Sequence, residues 1–307
     1  MIVTDSTKQT QVRYWTGALL VFLAAFCFAL KGVLIKIAYQ YHIDSISLLT
    51  LRMLFALPFY IGIVFRLSTK LPPVQLSMRS WIWIALLGVA GYYIASFLNF
   101  WGLEYITASL ERILLFVYPT FVLLLGVIFF RRRVSWLQAI AVFLTYSGIF
   151  QAFVPYLDAT EQRGVFLGAG LIILSGLAYA IYLVGSDTMI AKVGTQRYTC
   201  YAMIAATFFV LLHCALANGL SLFRYPAPVY WLSFLMAIVV TVIPTFMMTE
   251  GIKRVGSGNA SIIASIGPIF TIVLATSLLN ESISMHQLVG TLLVLVGVFL
   301  IGWKGKK

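Results

Sequence analysis

Ten apolar runs, each near the roughly 20 residues a helix needs to cross a bilayer, fill almost the whole chain and are parted by short polar breaks. They cover residues 15–39, 45–65, 81–101, 106–130, 136–155, 165–185, 198–217, 229–248, 260–279 and 288–303. Membrane strands would be shorter and would alternate apolar with polar positions, so a barrel does not fit. The first run is too long for the core of a signal peptide and reads as a helix. No break is long enough to hold a soluble domain, and all seven tryptophans fall near run ends, where an amphipathic ring prefers the headgroup level.

Composition agrees. With 62% hydrophobic and 10% charged residues and a mean hydropathy of +1.00, the 307-residue chain has too little polar surface to coat a soluble globule. The expected fold is an all-α integral membrane protein with ten transmembrane helices. Cys27, Cys200 and Cys214 all lie inside apolar runs and suggest neither a disulfide framework nor a metal site.

The net charge of +12 is largely a topology signal. With the N-terminus cytoplasmic, the inner segments carry Lys8, Arg13, Arg66, Lys70, Arg79, Arg131, Arg132, Arg133, Lys192, Arg197, Lys253, Arg254, Lys304, Lys306 and Lys307, against Arg163 and Arg224 outside. Both termini are therefore expected inside a plasma or inner membrane. Basic residues spread over so many short segments make no nucleic-acid face.

Two stretches correspond at a constant offset. Gly102 matches Gly251, Pro119 matches Pro268, Ser135 matches Ser284, Gln138 matches Gln287 and Gly148 matches Gly297. The chain reads as a cytoplasmic segment 1–14 followed by two five-helix units, 15–155 and 164–303. Five being odd, the second unit enters the membrane upside down, which gives the inverted repeat of many secondary transporters.

Ala108-Ser109-Leu110 leading to Tyr118-Pro119 and then Val134-Ser135-Trp136-Leu137-Gln138, echoed by Asn259-Ala260-Ser261, Gly267-Pro268 and Asn280-Glu281-Ser282-Ile283-Ser284, resembles the EamA-type drug/metabolite transporters. The resemblance covers nearly the whole chain. It implies a cavity between the repeats and movement of small organic solutes, amino acids or other metabolites, often outward. Arg131-Arg132 stands where that family usually has Gly-Glu, while Glu281 keeps the acid in the second repeat.

The run 106–130 holds an acid, a base and a proline. Counting from run ends, Lys31, Arg52, Glu111 and Arg112 all lie about five to eight residues in, roughly 8 to 12 Å at helical rise. Charges in hydrocarbon are costly, so they should pair or line a wet cavity. Glu111 is expected to pair with Arg52 or Lys31, leaving a positive surplus that favours a carboxylate or phosphate on a solute. The alternative is a purely structural Arg52–Glu111 bridge, with Arg112 snorkelling to headgroups, as Lys36 is expected to do. Pro119 and Pro268 are expected to kink equivalent helices near the midplane. Tyr92, Tyr93, Phe97, Asn99, Tyr118, Tyr146, Tyr179 and Tyr182 could line the cavity, which suits organic solutes better than inorganic ions. His213 reads as a packing histidine or a proton relay.

Catalytic motifs are missing: there is no Gly-x-Ser-x-Gly, no phosphate-cradling loop and no His-Glu-x-x-His. The expected partners are a small solute and the lipid bilayer, with no cofactor. The reading is an exporter of amino-acid or other carboxylate-bearing solutes working by alternating access. The alternative is a membrane-embedded enzyme or accessory protein acting on lipid-like substrates. A channel would show a polar stripe through several helices, and the charges occupy one layer instead.

Overall fold

The computed structural model describes residues 3–70, 72, 74–131, 134–157, 162–219 and 221–303, excepting the side chains of 3–10, 130, 162, 221, 257, 258, 261 and 301–303. Arg132, Arg133, Lys304, Lys306 and Lys307, and the side chains of Lys8, Ser261 and Trp303, lie outside it.

Ten helical segments follow one another: α1 (Val3–Tyr39), α2 (Ser45–Lys70), α3 (Met78–Tyr105), α4 (108–130), α5 (Trp136–Phe153), α6 (Gln162–Val193), α7 (Thr195–Asn218), α8 (Ala227–Val255), α9 (257–279) and α10 (Met285–Trp303). Among the described residues there is no strand, and nine of these segments are long and apolar enough to cross a bilayer. The tenth counts only as a shorter apolar helix over Met285–Leu300. This is a multi-pass membrane architecture.

Packing repeats the internal symmetry. α1 lies against α8 and α9, and α6 lies against α3 and α4; α2 meets α8 as α7 meets α3; α2–α7, α4–α9 and α5–α10 pair across the molecule. Exchanging helices one to five with six to ten maps this pattern onto itself, so the two halves form equivalent units. Crossing points agree. A Cβ at Gly251 would lie 3.0 Å from the carbonyl oxygen of Gly17, and one at Gly102 would lie 3.0 Å from that of Gly168, so backbone meets backbone at both places.

Local irregularities repeat as well. α3 and α8 carry π-helical turns at Val89–Ile94 and Met236–Val242, α4 and α9 break at 116–117 and 265–266, and Arg131 and Asn280 close them in the left-handed region at φ 51° and 54°. Ser135 with Gln138, and Ser284 with Gln287, form reciprocal capping boxes at the starts of α5 and α10. The prolines do more than kink: each sits in the first turn of a new helix, Tyr118–Phe130 or Gly267–Leu279, where its missing N–H removes no bond.

Candidate functional site

The short connections 39–45 and 105–108 bring the end of α1, the start of α2, the end of α3 and the start of α4 to one end of the bundle. Asp44 in the first connection binds the second repeat there. It accepts from the Ser47 N–H at 2.9 Å, from Asn218 Nδ2 at 2.9 Å and from the Tyr225 hydroxyl at 2.7 Å. Burial alone would raise the Asp44 carboxyl, but these donors together hold it below its ordinary range.

Glu281 closes the same end. Its carboxylate accepts from the Ala108 N–H at 2.8 Å, the Ser109 N–H at 3.1 Å and the Ser109 hydroxyl at 2.7 Å. Thr107 Oγ1 takes the Leu110 N–H and the Thr107 carbonyl takes that of Glu111, so all four leading donors of α4 are satisfied. Each side chain sits where the positive end of the helix favours it, and Glu281 reaches there from the second repeat. The acid kept in the Asn280-Glu281-Ser282 stretch is thus a cap across the repeats.

α4 begins at Ala108, beyond the expected start at Ile106, so Glu111 falls in its first turn. Glu111 is buried, at 1% exposure, and its Oε1 lies 3.5 Å from Lys31 Nζ while accepting a 2.6 Å hydrogen bond from Asn99 Nδ2. Of the two expected partners, Lys31 takes the acid. Arg52 does not: it is 6% exposed, its guanidinium lies over the Phe100 ring at 4.9 Å with Met53 Sδ 4.0 Å from Nη2, and its Nε has no partner among the described residues. A structural Arg52–Glu111 bridge is therefore corrected, because α2 turns that side chain toward Phe100.

Arg112, one position on and about 100° around α4, is turned away from Glu111's partners. Its guanidinium lies over the Phe116 ring at 5.6 Å and against Gly267, where a Cβ would come 2.6 Å from Nη2. Its Nε is buried without a hydrogen-bond partner among the described residues. It thus faces the break of α9 instead of snorkelling to headgroups. Lys36 is half-buried within electrostatic reach of Glu281 and Glu104.

Tyr92 and Tyr182 share a 2.8 Å hydrogen bond between hydroxyls, joining α3 to α6. Around them Tyr118 meets Tyr179 edge-on at 5.4 Å, and Tyr182 stacks on Tyr179 and on Tyr198. Tyr93 bonds His213 Nδ1 at 3.0 Å and Phe97 packs on the same ring, the packing role. Tyr146 is 44% exposed on α5 and stands apart from this cluster. The residues passed over by sequence reasoning are Phe100 and Phe116, whose rings carry the two guanidinium groups, and Tyr198; only Phe116, one turn on from Arg112, had a signal in the sequence.

Among the described residues no group of His, Cys, Asp and Glu could hold a metal ion. What the arrangement offers is one neutralised carboxylate and, among the described residues, two guanidinium groups without a carboxylate partner and an open acceptor on Asn99 Oδ1.

Residues 15–154 and 166–303 each match the profile of the EamA-like transporter family. The chain belongs to that family. It is similar to the uncharacterized transporter YcbK of Bacillus subtilis (strain 168), with 33% identity over 282 residues covering 89% of this chain and 88% of that one. A second relative, an uncharacterized transporter of Archaeoglobus fulgidus, is 26% identical over 291 residues, covering 92% and 96%. A solved crystal structure superposes with a TM-score of 0.64 at 15% identity over 92% of this chain and 94% of that one, a likeness of fold alone. As an EamA-like protein this chain is a membrane transporter, and the doubled match gives the family repeat the same two halves that the helix packing shows.

Proposed function

We propose that this EamA-like transporter carries small organic solutes bearing a carboxylate, amino acids among them, by alternating access about a site between its two repeats. The observation that carries the reading is the cluster of buried Arg52, Asn99 and Glu111 with half-buried Lys31 and Arg112, in which one acid stands among three bases and pairs with Lys31. Arg52 and Arg112 are left with unanswered donors, and a guanidinium binds a carboxylate through two parallel hydrogen bonds. Tyr92, Tyr118 and Tyr182 supply the apolar walls that suit an organic body. The breaks beside Pro119 and Pro268 open the backbone at matching places in α4 and α9, as discontinuous helices do at transporter sites.

The proposal includes ten spanning helices in two inverted units, both termini cytoplasmic in the cell membrane, and outward movement of the solute. The charge distribution along the loops supports the orientation, and the resemblance of the motifs supports the direction. Counterflow in proteoliposomes loaded with pooled amino acids, organic acids, nucleosides and amines tests the reading. Saturable exchange of a carboxylate-bearing solute, abolished by Lys31→Ala in folded protein, is the expected result. Exchange of amines or nucleosides alone, or exchange indifferent to Lys31, would overturn it.

A further inference from the structure

The two guanidinium groups without a carboxylate partner among the described residues come from different helices. Arg52, from α2, lies over Phe100 of α3 beside Met53, with Tyr60 as its electrostatic neighbour. Arg112, from α4, lies over Phe116 and against Gly267, with Glu111 and Tyr118 as its neighbours. Both are within electrostatic reach of Lys31, whose charge is answered by Glu111. Two positive charges remain, each with a buried Nε that donates to nothing among the described residues.

Arg112 is the more telling of the two. Gly267 opens the helix Gly267–Leu279, whose first turn is the positive end of its dipole, so a guanidinium and a helix N-terminus face each other with no anion between them among the described residues. An anion seated there would answer both. Arg52, 6% exposed with no carboxylate within ion-pair distance among the described residues, needs one of its own.

Resting on the reading of a carboxylate carrier, we infer that the solute has two anionic groups at opposite ends, an α,ω-dicarboxylate, one end held by Arg52 and the other by Arg112. One compact dianion such as phosphate would need both guanidinium groups turned on one point, whereas each is seated on its own ring, Phe100 or Phe116.

The test is counterflow by the full-length protein in proteoliposomes, comparing succinate, glutarate and adipate with butyrate, hexanoate, leucine and inorganic phosphate. A dicarboxylate exchanged with a KM at least tenfold below that of the monocarboxylate of equal length is expected. Arg52→Gln and Arg112→Gln should each cut that preference at least tenfold. If Arg52→Gln does not fold, Arg112→Gln and Arg52→Lys carry the comparison, since lysine keeps the charge but loses the two-point grip. Equal exchange of monocarboxylates or leucine, preference for inorganic phosphate, or a preference unmoved in the folded Arg variants would overturn the inference and leave the carboxylate carrier standing. No exchange of any carboxylate would overturn both.

Discussion

Replacing Lys31 by Met removes the cation from a pair whose acid is 1% exposed. Glu111 would keep only the 2.6 Å hydrogen bond from Asn99. Breaking a buried pair by deleting one partner costs about 3–5 kcal/mol, because the other charge stays uncompensated. Lys31 keeps 21% of its side-chain exposure, which sets the expected loss at the lower edge, about 3 kcal/mol. At about 2 °C per kcal/mol for a chain of this size, the unfolding midpoint of the purified protein in detergent should fall by about 6 °C. Glu111→Gln in the Lys31→Met background should recover most of that loss, since a neutral amide needs no counterion, and the double-mutant cycle then isolates the pair. A Lys31→Met midpoint within 1 °C or so of wild type, or a double variant no better than the single, would refute the idea that this pair holds α1 to α4.

Three further outcomes follow from the geometry. Glu281→Ala strips the acceptor from the N–H groups of Ala108 and Ser109 and should cost about 1–3 kcal/mol, read as a lowered midpoint with faster hydrogen exchange at those two amides. Gly290→Ala places a Cβ 2.5 Å from the Gly148 carbonyl oxygen at the α5–α10 crossing, an overpacking of about 1–3 kcal/mol visible as reduced yield and midpoint; unchanged stability would mean the crossing is looser than described. Asp44, whose folded carboxyl titrates below its unfolded value near 3.8, adds stability that is present above that value and lost as pH falls through the folded one. Asp44→Asn should therefore flatten the acid limb of a stability–pH profile, and an unchanged limb would assign it to other carboxylates.

Much of this protein was legible in its sequence because a bilayer makes local demands. Apolar runs of span length, tryptophans at their ends and a rarity of charge are properties of short windows, and they marked all ten helical segments. The offset between Pro119 and Pro268 announced two equivalent halves, and the same residue spacing reappears in paired helix breaks and caps, with the π turns close to it. That Lys31 could stand level with Glu111 was also readable, since depth is rise per residue multiplied by position, and the two meet at 3.5 Å.

Rotation and long-range pairing were not. A helix apolar on all sides has no stripe that tells which face meets which neighbour, so the sequence left both Arg52 and Lys31 open to Glu111. Packing of α2 against α3 seats Arg52 on Phe100, and Lys31 is the cation that lies within ion-pair distance of the acid among the described residues. Adjacent residues separate in the same way: Glu111 turns to α1 and α3, Arg112 to α9. Tertiary structure alone also carried Glu281 from the second repeat to the first turn of α4 and left Tyr146 outside the tyrosine cluster. The chain by itself determined how many times it can turn through an apolar medium and where it pays for charge; which charges meet depended on helix rotation, a global quantity that no single segment encodes.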